Sequence, residues 1–267
     1  MITKVKRLRT DKCNICRLSK PMTWDHVPPR GGITITSVEI EKIYAILSHN
    51  KPSKTIYQNG VKYRTICKEC NSEIGKEYDP TLNEFNSTIT AYFNSNLIPP
   101  KFAYIKSKPN RLIRAILAHL LSAKENIDDV IFDATIRSFI FDDKIDVPDN
   151  INIYFWIYPY DCTIILRDCM LSVKQGEFDK FTFCHIIKYF PIAFIVTDST
   201  EFRGLSSLTK YKSNNIDDEK EIRIDFERIE SFDWPERVDN TNVLITSTET
   251  SNGIFAKPRE NLPQRPR

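Results

Sequence analysis

The stretch Cys13-Asn14-Ile15-Cys16-Arg17-Leu18-Ser19-Lys20-Pro21-Met22-Thr23-Trp24-Asp25-His26-Val27-Pro28-Pro29-Arg30 carries two chemical signals side by side. One is a pair of thiols three positions apart; the other is an acid and a histidine ahead of a rigid Pro-Pro turn. A second thiol pair follows in Ile66-Cys67-Lys68-Glu69-Cys70-Asn71-Ser72-Glu73-Ile74-Gly75. Each Cys-x-x-Cys has the reach of a knuckle whose sulfurs point at one ion, and two knuckles close a tetrahedron at about 2.3 Å per bond. Four thiolates leave no vacant position, so Cys13, Cys16, Cys67 and Cys70 are expected to hold a structural zinc. The chain has seven cysteines, an odd number, and in a reducing compartment the paired spacing reads as metal ligation before disulfides.

Taken together and in order, these elements resemble the zinc-bearing branch of the HNH endonucleases, the ββα-metal or His-Me finger nucleases. The family pattern is Cys-x-x-Cys, an acidic residue and His followed by Pro, then Cys-x-x-Cys with His or Asn directly after. The resemblance covers about residues 10–85. It implies that His26 is the general base, that Asp25 ligates a catalytic Mg²⁺ or Mn²⁺, and that Asn71 is the other protein ligand through its amide oxygen. The chemistry is coherent. Imidazole is partly neutral at working pH and takes a proton from water. A hard divalent ion with oxygen ligands stabilises charge on the phosphorane and leaving oxygen. The zinc clasp would fix the Asp25-His26 loop against the start of the helix bearing Asn71. The family's middle asparagine has no clear match. Asn59 is the nearest candidate, and it lies upstream of the usual place. The long stretch from Arg30 to Gln58 reads as an insertion, with mild helical periodicity over Val38–Leu47; Tyr63 and Arg64 fall where a short strand should precede the second knuckle.

Charge is distributed unevenly. Residues 1–30 hold eight Lys and Arg against Asp11 and Asp25, a net +6, whereas the whole chain is +3, leaving −3 for the remainder. A basic end on a mildly acidic body suits a phosphate-binding module. Hydrophobic content of 41% and charged content of 27% belong to an ordinary globular protein and exclude a disordered one. No apolar run follows the basic N-terminus, and Cys184–Val196 is interrupted by Lys188 and Pro191, so a cytoplasmic protein with no membrane association is expected.

Beyond the module the period changes. Leu112, Ile113, Ile116, Leu117, Leu120 and Leu121 recur at helical spacing and predict an amphipathic helix over Asn110–Lys124, with further helices over Asn83–Asn94 and Asp128–Phe141. Ile151–Tyr158, Thr163–Asp168, Phe181–Val196 and Glu221–Ile229 are rich in β-branched and aromatic residues and read as antiparallel strands. The expected class is therefore α+β: a zinc-stapled ββα-metal module over 1–85, a helix-plus-antiparallel-sheet domain over 86–235, and a mobile tail over 236–267. Cys162, Cys169 and Cys184 read as core thiols, His119 as a packing residue, and His185 as a histidine without a metal site.

The functional expectation is a metal-dependent endonuclease acting on DNA, with RNA the other nucleic acid it would take. The alternative is a non-catalytic zinc-stapled nucleic-acid-binding or adaptor protein. Nucleases of this build in bacteria often serve anti-phage or mobile-element systems beside a sensor or ATPase partner, an expectation by analogy alone. The second domain would then dock or restrain, and residues 1–108 would be separable and active.

Overall fold

A computed structural model describes residues 7–33, 36–43, 54–174, 177–236, 244–246 and 253–259. Near the N-terminus, β1 (Thr10–Lys12), β2 (Ser19–His26) and β5 (Lys62–Cys67) form a three-stranded sheet in the order β1-β2-β5. The two long strands are antiparallel, with Met22 opposite Cys67 and His26 opposite Lys62. The chain passes without a loop from β5 into α1 (Lys68–Glu77), which packs across both strands. A second helix, α2 (Asp79–Phe93), follows at once; its first turn opens with Asp79-Pro80, an acid at the positive helix end and a proline where no N–H is needed.

The amphipathic helix over Asn110–Lys124 exists as α3 (Pro109–Ser122), but its polar side is buried along with its apolar one. Every residue in it except Arg111 is buried, including Asn110, Arg114, His119 and Ser122. Such a helix lies inside a protein, not on it. Its apolar residues share one core with Cys13, Ile66, Ile74 and Leu82 of the N-terminal region and with Ile153, Phe155, Ile187 and Phe194 of the large sheet. The weaker helical signal is α4 (Ile131–Ile140), packed on α3.

Each predicted strand region holds antiparallel strand, but Phe181–Val196 is two strands that turn at Phe190-Pro191, and the strand in Glu221–Ile229 ends at Asp225. β7 (Asn152–Ile157), β8 (Thr163–Lys174), β9 (Glu177–Tyr189) and β10 (Ile192–Thr197) lie in a nine-stranded sheet of order β11-β7-β10-β9-β8-β14-β3-β4, with β13 also on β8. Here β11 is Ser206–Ser207, β13 Leu244–Thr246 and β14 Ile254–Pro258. β6 (Phe102–Ser107) and β12 (Lys220–Asp225) pair separately. The central strands are apolar on both sides because both faces are covered. One face meets α3. The other packs Tyr154, Trp156 and Ile195 under Phe202, Leu205 and Trp234.

Three expectations are corrected. Residues 1–85 do not form a separate packing unit: β3 (Val38–Lys42) and β4 (Thr55–Tyr57), from the supposed insertion, are strands of the nine-stranded sheet. The helical reading of Val38–Leu47 therefore fails over Val38–Lys42, where Val38 and Ile40 alternate inward as strand residues; Tyr44–Leu47 lie outside the described residues. The tail over 236–267 contributes β13 and β14. β14 sits between β8 and β3, with Ile254 and Ala256 buried; residues 260–267 lie outside the described residues. No described helix is long and apolar enough to cross a membrane.

Candidate functional site

The first knuckle is a tight turn after β1. The Cys13 N–H donates to the Leu18 carbonyl (2.9 Å) and the Arg17 N–H to the Cys13 carbonyl (3.0 Å), with Arg17 left-handed at φ 61°. The second knuckle spans the β5–α1 junction, so Cys67 ends the strand and Cys70 lies in the first turn of the helix. The four sulfurs lie within 4.8 Å of one another. Cys16 Sγ and Cys67 Sγ are 3.8 Å apart, the edge length of a tetrahedron with bonds of about 2.3 Å. The backbone N–H groups of Ile15 and Cys67 point at Cys13 Sγ at 3.4 and 3.3 Å, as expected around a thiolate. The Cys70 thiol bonded to Cys13 pulls the Cys13 pKa down, and that same bond drives Cys70 up. Sulfurs this crowded cannot all ionise unaided. The donor set is soft and fits a thiophilic cation, so this cluster can hold a metal. Among the described residues it is the one group of His, Cys, Asp and Glu ligands placed to do so; Cys169 and Cys184 are buried in strands, and Cys162 is bonded to Tyr158 Oη.

The acid–histidine pair lies at the end of β2. A bulge between Thr23 and Asp25 shifts the ladder to β5. Trp24 is thereby turned outward, 49% exposed, and Asp25 inward, 5% exposed. His26 Nε2 lies 3.1 Å from the backbone carbonyl of Asn59. A carbonyl only accepts, so Nε2 carries the ring hydrogen and Nδ1 keeps its lone pair. Asn59 is left-handed (φ 70°), a conformation asparagine tolerates, and is followed by Gly60 at φ 72°. The candidate brace thus acts through its main chain. Burial lowers the His26 pKa; the Asn59 carbonyl and Asp25 oppose this, while Arg30 and Lys62 add to it.

Asn71, in the first turn of α1, donates from Nδ2 to the Trp24 carbonyl at 3.0 Å. This ties the helix start to the residue before Asp25 and leaves the amide oxygen, Oδ1, uncommitted by that bond. On the other side, Pro28 and Pro29 lead into a 3-10 turn at Arg30–Gly32 that lies on α2. A Cβ at Gly31 would come within 2.4 Å of Asn83 Nδ2 and one at Gly32 within 2.8 Å of Asn83 Oδ1, so a side chain at either position would have to displace the Asn83 amide.

His119 is the residue that sequence reasoning missed. It is fully enclosed, with Nε2 2.8 Å from Asp79 Oδ1 and Nδ1 3.4 Å from Asp25 Oδ2. Burial disfavours a charged ring, but Asp79 and Asp25 outweigh it and hold the imidazolium up to a pKa of about 10.

The outer face beside His26 is cationic. Lys62 Nζ and Arg64 Cζ stand 5.4 and 5.5 Å from the centroid of the Trp24 ring, within cation–π range. Lys62, Arg64 and Arg30 have no ion-pair partner among the described residues, and Arg64 bonds only a carbonyl, that of Arg7. Positive charge with no carboxylate opposite suits an anion from solution.

No family model matches the sequence, and no curated protein or solved structure matches it either.

Proposed function

We propose that the chain is a metal-dependent HNH-type endonuclease whose site is built on β2, β5 and α1. The observation that carries this reading is the hydrogen bond from His26 Nε2 to the Asn59 carbonyl. It selects the tautomer with Nδ1 free, and burial lowers the ring's pKa, which favours the neutral base. His26 Nδ1 then takes the proton from the attacking water. Asp25 and Asn71 Oδ1 are the oxygen donors that would hold Mg²⁺ or Mn²⁺, and this donor set is hard. Such a cation, when bound, supplies charge stabilisation to the phosphorane and the leaving oxygen. Lys62, Arg64 and Arg30 draw the phosphodiester to this face, and DNA is the substrate favoured by the resemblance. Zinc at Cys13, Cys16, Cys67 and Cys70 clamps the His26 strand to the Asn71 helix.

Plasmid nicking tests this. Wild type with Mg²⁺ or Mn²⁺ is expected to cut, and His26→Ala to cut about 10²–10⁴-fold more slowly at unchanged zinc content. A protein that binds DNA but never nicks it is the non-catalytic alternative. Undiminished cutting by His26→Ala would place the base elsewhere.

A further inference from the structure

The ring of His119 has a carboxylate at each nitrogen, and the two come from different parts of the chain: Asp25 from the bulged end of β2, Asp79 from the start of α2. The histidine itself comes from α3, the helix enclosed by the body of the protein. Neither carboxylate has another ion-pair partner among the described residues. The Asp25 end of this trio adjoins His26, and Asp25 Oδ2, with no hydrogen-bond partner, is the atom facing the ring. The Asp79 end is the shorter contact and holds the ring in place.

We propose that His119 is a positioning residue of the site: anchored by Asp79, it fixes the Asp25 side chain in the orientation from which the carboxylate ligates the catalytic cation. The inference rests on the nuclease reading for the role of Asp25. It adds that α3 completes the site, so the cysteine-stapled segment is insufficient by itself. Outer partners that orient a metal-ligating side chain commonly contribute 10–100-fold in metal affinity. His119 acts through Asp25 and does not touch the reacting atoms.

The test is Mn²⁺ binding to the full-length, zinc-loaded protein without nucleic acid, followed by calorimetry or by the electron paramagnetic resonance of free Mn²⁺. His119→Ala is expected to weaken Mn²⁺ binding by about 10–100-fold. His119→Asn, which keeps one donor near the Nδ1 position facing Asp25, is expected to recover part of that loss, which a purely packing role would not predict. Asp79→Asn should weaken binding in the otherwise wild-type protein but add nothing in the His119→Ala background, since its effect passes through the ring. A folded, zinc-loaded His119→Ala protein with wild-type Mn²⁺ affinity, or a folded His119→Asn protein that recovers nothing, overturns the proposal. If neither variant folds, Asp79→Asn carries the decision, and unchanged affinity there overturns it equally. Nicking by wild type, measured alongside, reports on the nuclease reading separately: normal nicking with unaltered Mn²⁺ affinity in the variants removes the role of His119 alone.

Discussion

His119 and His185 are both enclosed by protein, yet they hold opposite charge states. Around His185 the Nε–H of Arg167 and the backbone N–H of Asp168 both donate to Nδ1, at 3.2 and 3.0 Å, so the ring is neutral with its hydrogen on Nε2. Burial, then Arg167 and Lys124, push its pKa well below the ordinary imidazole value. Unfolded chains take up this proton near pH 6.5 and the native protein refuses it. The stability linked to His185 is therefore present above that pH and lost as pH falls through it. Urea unfolding of wild type between pH 7.5 and 5.5 should fall more steeply than that of His185→Gln, by up to about 1.4 kcal/mol per pH unit below pH 6.5. Equal slopes would refute it. The thiol cluster was legible because cysteine identity and spacing carry its signal. The bracing by Asn59 was not, because a backbone carbonyl does it and any residue has one. His119 read as packing because its two acids lie 94 and 40 positions away, and no local pattern links a histidine on a Leu-rich helix to them.

Helix α3 shows how the elements depend on one another. Its last carbonyls have no partner within the helix. Asn14, inside the first knuckle, donates from Nδ2 to the carbonyls of Leu121 (2.9 Å) and Lys124 (2.6 Å), and Thr65 of β5 donates to that of Ser122. The cysteine turn is thus also the cap of the central helix. Asn14→Ala should strand the Lys124 carbonyl and leave that of Leu121 with only the Lys124 N–H at 3.4 Å, costing about 1–3 kcal/mol, read as a lower urea midpoint at unchanged slope. A loss under about 0.5 kcal/mol would mean that water replaces the side chain. The same coupling predicts that Cys70→Ser releases zinc and loosens α3 together, visible as faster hydrogen exchange of its amides; zinc loss with full protection of α3 would contradict it. The period-3.6 signal located α3 and the apolar runs located β7 to β10. Strands β3 and β4 escaped because both are short and because β3, on which β4 pairs, has its decisive partner, β14, far along the chain. A bulge, as at Thr23–Asp25, leaves no compositional trace.

The whole molecule cannot be divided where composition changes. The basic, cysteine-paired third and the apolar remainder differ in charge, and that contrast read as a boundary; packing ignores it, for one core runs from Cys13 to Ala256. Residues 1–108 lack α3, with which Asn14, Asp25 and Thr65 make buried contacts, so the expectation of a separable, active fragment is withdrawn. That fragment should show no cooperative thermal transition even with zinc. A sharp transition with native-like zinc content would restore the division. Strand β14 has one further consequence, and it concerns time. Val38 pairs with Pro258, and among the described residues β3 reaches the rest of its sheet only through β14. During synthesis the early strands β3 and β4 must stay unpaired on that edge until residues near 258 leave the ribosome. An exposed edge of this kind invites foreign strands, and contacts so distant along the chain form slowly. Until β14 is made, β3 therefore keeps an open edge, while β7 to β10 are already able to pair with one another.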